Sequence, residues 1–356
     1  MSLTTASIEH KRTEETLAAS VRANVKSRDE VLGIVRQLTQ EIPGECVAGP
    51  PFCIFQFISS YEEGFDAEIG VPLMRAVESD GFTTRLLPGL EVLALVHRGP
   101  VAELRASAGK LFGYAAEHAL VSDEFYREVY LDLADPEDSR IEVQFVIHNW
   151  NRLLAENVGR VLGADARRAV MQGSEALGVE SSIDERHRWT RGAVDRLDGI
   201  ADDDQRFEIL SRCAHVFPQE PIDRAGQVYR KARARLDDPL LAIDAVLEFM
   251  ERDRAWGIRP VREGSVIYAT KNPRDAKAYA EAQTDAEKRR AYCFCPLIRD
   301  HLEDGGMSDT FCYCSSGWER RQWEGVIGQT VRVEVVQSLL RGDDCCRFAI
   351  QLPTDL

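Results

Sequence analysis

The sequence predicts an α+β fold in two parts. Over roughly the first 150 residues, several short segments place apolar side chains at every second position, as strands do, and two longer segments place them at helical spacing. Beyond that point the spacing is mainly helical. A chain of 356 residues is also long enough for two separate cores. We therefore predict an N-terminal domain of duplicated helix-plus-antiparallel-sheet halves, then a mainly helical region ending in a small α+β, cysteine-rich domain.

The predicted boundaries are a tail over 1–19, the first domain over 20–150, and the helical and cysteine-rich part over 151–356. Ser27 and Glu30 have the spacing of a capping box, which predicts a helix over 28–42. A second helix is expected over 101–118. Its apolar stripe consists of Leu104, Ala108, Leu111, Phe112 and Ala115.

The charge balance argues against partners with an anionic surface. Lys and Arg number 44 against 59 Asp and Glu, which gives a net charge of −15 and disfavours binding to nucleic acid phosphates or anionic membranes. The chain has no apolar run of membrane-spanning length, residues 1–30 lack a secretory pattern, and no basic recognition helix stands out. We expect a soluble cytoplasmic protein that contacts neither nucleic acid nor membrane directly.

The segment 127–133 carries the first candidate site. In a strand, Val129 and Leu131 would lie on one face and Glu128 and Tyr130 on the other. If the apolar face meets a helix, Glu128 and Tyr130 project from the more open face. A carboxylate beside aromatic rings suits a flat, apolar, partly cationic ligand. From these residues alone, a solvated outer face is the simpler interpretation.

Other side chains could belong to the same hollow. Phe55 and Phe57 share one face of a strand and could wall a groove, although strand aromatics are usually core. Glu68, in a strand over 65–72, is a second and weaker carboxylate candidate, and His97 closes the strand that precedes the second helix.

Five segments together resemble a known family. GPPFCIF (49–55), FDAEIGVPL (65–73), LPGLEVLALVHRGP (87–100), REVYLDL (127–133) and IEVQFVI (141–147) are similar in order and spacing to the GyrI-like, or AraC-effector-binding, small-molecule domain with its SOUL-like fold. The resemblance covers roughly 20–150. It implies a groove for small hydrophobic or cationic molecules with a buried glutamate at Glu128, which favours the pocket over the solvated face.

The resemblance leaves two functions open, because some relatives act as hydrolases. In the first, the protein is a binding or sensing module, related to transcription regulation but without its own DNA-binding domain. Its ligand would be a small organic molecule held by Phe55, Phe57, Glu68, His97, Glu128 and Tyr130. Regulation would then need a partner protein or a DNA-binding domain absent from this chain. The expected macromolecular partner is another protein or, in a homo-oligomer, a second copy of the chain. In the alternative, Glu128 is a general acid or base assisted by Tyr130 and His97.

Six of the nine cysteines fall between Cys293 and Cys346, which is more typical of metal or redox chemistry than of disulfides in such a chain. From Cys312 onward, a Gly five places on, Gly328 and the GDDCCRF ending resemble a 4-vinyl reductase-type domain. That resemblance implies zinc ligands at Cys312 and Cys346.

The same resemblance places Val335 and Ser338 where two further zinc ligands would be. Replacement donors are close in sequence, because Cys-x-Cys occurs twice and on a strand would put both sulfurs on one face. The candidate metal ligands are Cys293, Cys295, Cys312, Cys314 and Cys346. Three interpretations stay open: a rebuilt zinc or soft-metal site, a redox-active thiol cluster, and a degenerate domain with structural thiols.

Overall fold

A computed structural model of the chain describes residues 7–55, 64–118, 120–135, 137–215, 217, 219–253, 256 and 260–356. The chain divides into two compact units, with the boundary along the sequence between His148 and Asn149. Among the helices of the described residues, none combines the length and the apolar character needed to cross a bilayer.

The first unit is an antiparallel sheet of eight strands with two α-helices. The sheet order is β1-β6-β8-β7-β3-β4-β2-β5. The strands are β1 (Glu9–Arg12), β2 (Thr16–Val25), β3 (Phe52–Phe55), β4 (Phe65–Pro72), β5 (Thr83–Leu87), β6 (Glu91–Gly99), β7 (Ser122–Asp132) and β8 (Ser139–Ile147). The helices are α1 (Arg28–Glu41) and α2 (Leu104–Glu117).

This unit repeats one arrangement twice, as predicted. A strand, a helix and two further strands form the first half (β2, α1, β3, β4) and the second half (β6, α2, β7, β8). In each half the last strand pairs with the other two strands: β4 with β2 and β3, and β8 with β6 and β7. The halves join where β3 pairs with β7, and we call this junction the seam.

The N-terminal cap of α1 and the buried apolar stripe of α2 both differ in detail from the sequence prediction. Ser27 caps α1 by accepting from the amide of Glu30, but the Glu30 carboxylate accepts from the amide of Lys26, one residue earlier than in a capping box. In α2, Leu111 is buried as expected, whereas Phe112 is 40% exposed. The buried stripe of α2 is therefore narrower than its sequence suggests.

Where the structure describes the chain, the apolar face of β7 does not meet a helix, so the condition for Glu128 and Tyr130 to project from an open face is not met. Both helices contact the face that carries Glu128, because Arg28 at the start of α1 bonds Glu128, and Ser107 of α2 bonds His97 on that face. Val129 packs on the other face with Phe52. The sheet buries apolar side chains on both faces, so alternation along β7 does not identify the helix-covered side.

Strands also occupy part of the segment predicted as a tail. β1 and the first residues of β2 lie within 1–19. The β1 sequence, EHKR, has no apolar alternation, and its strand form comes from backbone pairing with the edge of β6. Lys11 adds a 2.8 Å contact from its ammonium nitrogen to the Glu142 carboxylate.

The second unit is mainly helical and contains a four-stranded antiparallel sheet of order β11-β12-β10-β9. The helices are α3 (Trp150–Val170), α4 (Ile183–Asp198), α5 (Asp203–Ser211), α6 (Gln219–Arg233), α7 (Pro239–Arg252), α8 (Ala276–Glu281), α9 (Asp285–Tyr292), α10 (Pro296–Arg299) and α11 (Tyr313–Ile327). The strands are β9 (Val261–Glu263), β10 (Val266–Thr270), β11 (Arg332–Gln337) and β12 (Arg347–Gln351).

The sequence also makes two predictions in this unit. Apolar alternation over 331–335 and 348–350 predicts a hairpin-like pair of strands, and 273–290 is predicted as one exposed helix. The antiparallel pair expected near the end of the chain is present as β11 and β12. The single helix expected over 273–290 is instead two helices, α8 and α9. The break follows from local chemistry, because Thr284 and Glu287 form a capping box that starts α9.

Helix α11 packs closely against the end of α5 at Gly317. A Cβ atom added there would lie 1.8 Å from the carbonyl oxygen of Ser211, which is backbone and cannot move aside easily. The position therefore tolerates only glycine without a shift of one helix against the other.

Gly317→Ala should lower the free energy of unfolding of the second unit by about 2–3 kcal/mol, because one helix must shift. All five tryptophans lie beyond residue 148, so urea unfolding followed by tryptophan emission measures this unit. The control is Gly192→Ala in α4, where the added Cβ meets only the end of the Arg196 side chain and should be neutral or mildly stabilising. Equal effects of the two substitutions would contradict the packing argument.

Candidate functional site

The carboxylate of Glu128 is fully buried at the seam, where β7 pairs with Cys53 of β3 on one side and with Val143 of β8 on the other. Its oxygens accept from several donors. Tyr126 Oη donates to Oε1 at 2.9 Å, and Tyr130 Oη donates to Oε2 at 3.0 Å. Both tyrosines lie two residues from Glu128, on the same face of β7.

Arg28 completes this group from the helix side. Its Nη2 donates to Glu128 Oε1 at 2.7 Å, and its Nε lies 3.3 and 3.4 Å from the two carboxylate oxygens. Arg28 is the first residue of α1, so the Ser27 cap that starts the helix also fixes where the guanidinium begins. The result is a buried ion pair between α1 and the seam.

The pKa shifts of Arg28, Tyr126 and Tyr130 all favour the protonated form of each side chain, as this hydrogen-bonding arrangement requires. Burial alone would lower the pKa of the Arg28 guanidinium, but the hydrogen bond and the charge of Glu128 outweigh it and raise that pKa above its ordinary value. Burial and the Glu128 charge raise the pKa of both the Tyr126 and Tyr130 phenols. The tyrosines therefore remain protonated and serve as hydrogen-bond donors.

Aromatic rings adjoin this polar group. Phe55 stacks on Tyr126 with 4.8 Å between ring centroids and 11° between planes. Phe112 of α2 meets the edges of Tyr126 and Phe145 at 5.9 and 5.4 Å. Phe112 is half-exposed whereas Phe55 and Phe145 are buried, so Phe112 forms the solvent-facing wall of this cluster.

The other residues predicted for this site do not all lie beside Glu128. Phe57 lies outside the described residues. His97 lies on the same sheet face as Glu128. Its Nδ1 is 3.0 Å from Ser107 Oγ, and its Nε2 is 3.0 Å from the Pro100 carbonyl oxygen. These contacts connect β6 to the start of α2. These two contacts leave neither ring nitrogen of His97 to act on Glu128.

Glu68 lies on the opposite face of the sheet, because the register pairs it with Ile54, whereas Glu128 pairs with Cys53. It accepts from Arg85 Nε at 2.8 Å and from Ser20 Oγ at 2.7 Å. Burial would raise the pKa of Glu68, but these bonds outweigh it and lower that pKa. Glu68 lines an open groove of about 570 Å³ and is not part of the Glu128 group.

Sequence reasoning missed three members of the group: Arg28, Tyr126 and Phe112. Tyr126 could have been found, since it continues the alternation of Glu128 and Tyr130 by one more step along β7. Phe112 was assigned to the core because helical spacing cannot distinguish the edge of a stripe from its centre. Arg28 carries no sequence signal, because its contact spans 100 residues.

The fold and the site together define a class of protein domain made of two strand–helix–hairpin halves, with a buried carboxylate at their seam. A family model described as the GyrI-like small molecule binding domain matches residues 8–148. This part of the chain is a GyrI-like domain, which confirms the sequence-based expectation for it. A second model, for a family of unknown function named DUF6144, matches residues 268–355.

Solved structures with similarity to the chain include two of EcmrR. One is a cryo-EM structure of an EcmrR–DNA complex (19% identity, TM-score 0.35, 40% of this chain and 57% of that chain), and one is the crystal structure of the EcmrR C-terminal domain (20%, 0.35, 40% and 98%). A third is SAV2435 bound to tetraphenylphosphonium (10%, 0.31, 41% and 96%). At this level of similarity the matches carry no conclusion about function. No curated protein matches the chain.

No cysteine of the second unit lies on a strand. Cys293 and Cys295 lie between α9 and α10, and Cys312 and Cys314 lie where a 3-10 turn runs into α11. The two-residue spacing therefore does not place both sulfurs on one face of a sheet. All nine cysteines lie in the described part of the chain, and all are free thiols.

The thiols of this cysteine cluster are partly or fully buried. Burial raises the pKa of the Cys293 and Cys314 thiols to about 11 each, and it also raises the pKa of the thiols of Cys295, Cys312 and Cys346. Zinc binds thiolates in a tetrahedron. Within the described residues, no group of three or more His, Cys, Asp or Glu side chains is arranged to hold a metal ion.

The elemental content of protein purified without chelator distinguishes the three interpretations of the cysteine cluster. The rebuilt zinc or soft-metal site that the sequence suggests predicts bound metal, at about one equivalent per chain. Less than about one zinc or iron per ten chains would favour the degenerate domain with structural thiols.

A buried carboxyl group, Glu319, lies near these cysteines on α11. It is 3% exposed, and its Oε1 has no hydrogen-bond partner. Burial raises the pKa of Glu319 to about 7, and the Lys271 ammonium opposes this only in part. Lys271 itself donates to Ser315 Oγ at 2.7 Å, one helical turn before Glu319.

Glu319→Gln should stabilise the second unit in alkaline solution. The raised pKa means that the wild-type stability from this group is complete below about pH 4.5 and is lost as pH rises through about 7. Above pH 8 the variant should exceed the wild type by up to about 3 kcal/mol in urea unfolding followed by tryptophan emission. At pH 5 that gain should be small. The control is the exposed Glu334→Gln, and a gain independent of pH would contradict the assignment.

Proposed function

We propose that the GyrI-like domain binds a small, flat, largely apolar organic molecule beside Glu128, and that the chain is a ligand-binding or sensing protein. The observation that carries this proposal is the fully buried carboxylate at the seam, held by two tyrosines and adjoined by aromatic rings of which Phe112 is solvent-facing. A guest that entered beside Phe112 would meet an apolar wall first and the polar group behind it.

The supporting chemistry is the combination of ring faces with a few placed polar groups. Aromatic side chains contribute most of the contact energy in such sites, and a small number of polar groups orient the guest. Here the polar groups are two phenols and one ion pair, all fixed by their mutual hydrogen bonds. Such a site is organised before the guest arrives, which reduces the entropy that binding must overcome.

The hydrolase alternative needs a carboxylate oxygen that is available to take or give a proton. Both oxygens of Glu128 already accept from neighbouring donors, and His97 is engaged elsewhere. A general base must reach the proton it removes, either directly or through one water. The contacts of Glu128 therefore favour binding over catalysis.

We further propose that the second unit reports or stabilises the bound state, in a role related to transcription regulation. The net charge of −15 disfavours direct contact with nucleic acid, so regulation would pass through a partner protein. The resemblance of 312–352 to a 4-vinyl reductase-type domain belongs to this proposal, as does a cytoplasmic location.

Phe112→Ala should weaken the binding of acridine, a flat aromatic compound that is uncharged at pH 8, by about tenfold. The substitution removes the solvent-facing ring of the cluster and leaves the buried rings in place. Isothermal titration calorimetry at pH 8 measures the change, and a matching far-UV circular dichroism spectrum confirms the fold.

Leu86→Ala is the matched control, because Leu86 is an exposed apolar side chain on the edge strand β5. It should leave acridine affinity unchanged. If both variants bind as the wild type does, the guest lies elsewhere, and if the wild type binds no flat aromatic compound, the proposed function is wrong.

A further inference from the structure

We propose that Arg28 is the specificity-determining residue of the Glu128 site: its guanidinium takes the place of a cationic guest, so that the resting site selects uncharged flat molecules over cations. This inference rests on the proposed function, since it concerns which guests the same site accepts. The observation behind it is that the carboxylate best placed to attract a cation already has one.

The geometry matches the way a guanidinium binds a carboxylate. Nη2 and Nε of Arg28 both face the Glu128 oxygens, and Nη2 also lies 3.4 Å from Tyr126 Oη. A guanidinium presents its donors as a planar fork, so one side chain occupies both oxygens at once. Tyr126 and Tyr130 take the remaining positions, which leaves a saturated carboxylate.

The two partners differ in their access to water. Glu128 is fully buried, whereas the Arg28 side chain is 33% exposed and starts from the first residue of a helix. The guanidinium can therefore swing into solvent and be hydrated there, but the carboxylate cannot follow. Arg28 is thus the movable half of the pair, and Glu128 is the fixed half.

Because of this difference, binding a cation at the site should cost more free energy than binding a neutral molecule. A cationic guest that contacts Glu128 must first displace Arg28 or lie beside a second positive charge in a poorly hydrated place. An uncharged guest leaves the pair intact and packs on the aromatic rings. If the site is free of Arg28 for only a small fraction of the time, the apparent association constant for cations is the intrinsic constant multiplied by that fraction.

The test compares acridine with N-methylacridinium, which has nearly the same shape and a permanent positive charge, by calorimetry at pH 8. Wild-type protein should bind acridine more tightly than N-methylacridinium. Arg28→Met should raise the affinity for N-methylacridinium by about tenfold or more and reverse the order of the two probes. Arg28→Lys keeps the charge but not the fork, so its gain should be smaller.

Arg36→Met is the matched control, because Arg36 is exposed on the same helix roughly two turns further along. It makes the same change in net charge and should change neither affinity. The double variant Arg28→Met/Glu128→Gln serves where Arg28→Met fails to fold, since it removes both charges together. It should retain acridine binding and show no gain for the cation.

Several outcomes would overturn the role of Arg28 while leaving the proposed function intact. These are an unchanged affinity of Arg28→Met for N-methylacridinium, an equal gain in Arg36→Met, and a cation gain that survives in the double variant. Absence of binding of either probe to wild type and to all variants would instead refute the proposed function itself.

Discussion

The ion pair between Arg28 and Glu128 is the interaction on which the rest of the first unit depends. A carboxylate with no exposure to water is costly unless charge and hydrogen bonds compensate it, and here one guanidinium and two phenols do so. Because the guanidinium comes from the first residue of α1, the pair also links the start of that helix to the sheet. One contact therefore connects a helix to the seam and neutralises the polar centre of the site.

The duplicated architecture explains why the site lies where it does. In the sheet, the two strand–helix–hairpin halves join where β3 pairs with β7, so the seam takes residues from both halves. Phe55 comes from the first half and Tyr126 and Glu128 from the second, while α1 and α2 supply Arg28 and Phe112. Neither half contains the whole group, so the site exists only once the two halves have joined.

Alternation and helical spacing predicted much of this, because they report local burial. They gave the α+β class, the duplicated pattern, both helices and the shared face of Glu128 and Tyr130. They failed where the answer depends on distant partners: which face of the sheet the helices cover, that Glu68 lies on the opposite face, and that Arg28 reaches Glu128. In the second unit the Cys-x-Cys spacing did not identify a shared face. Side chains two residues apart point to the same side of a strand, but they point in different directions at the start of a helix.

The most direct measurement is a crystal structure of the chain saturated with N-methylacridinium. The predicted result is a ring system packed against Phe112 and Tyr126, with its charged nitrogen near the Glu128 carboxylate and the Arg28 guanidinium turned out into solvent. An intact ion pair between Arg28 and Glu128, with the dye bound on another surface of the domain, would contradict the assignment of this seam as the ligand site.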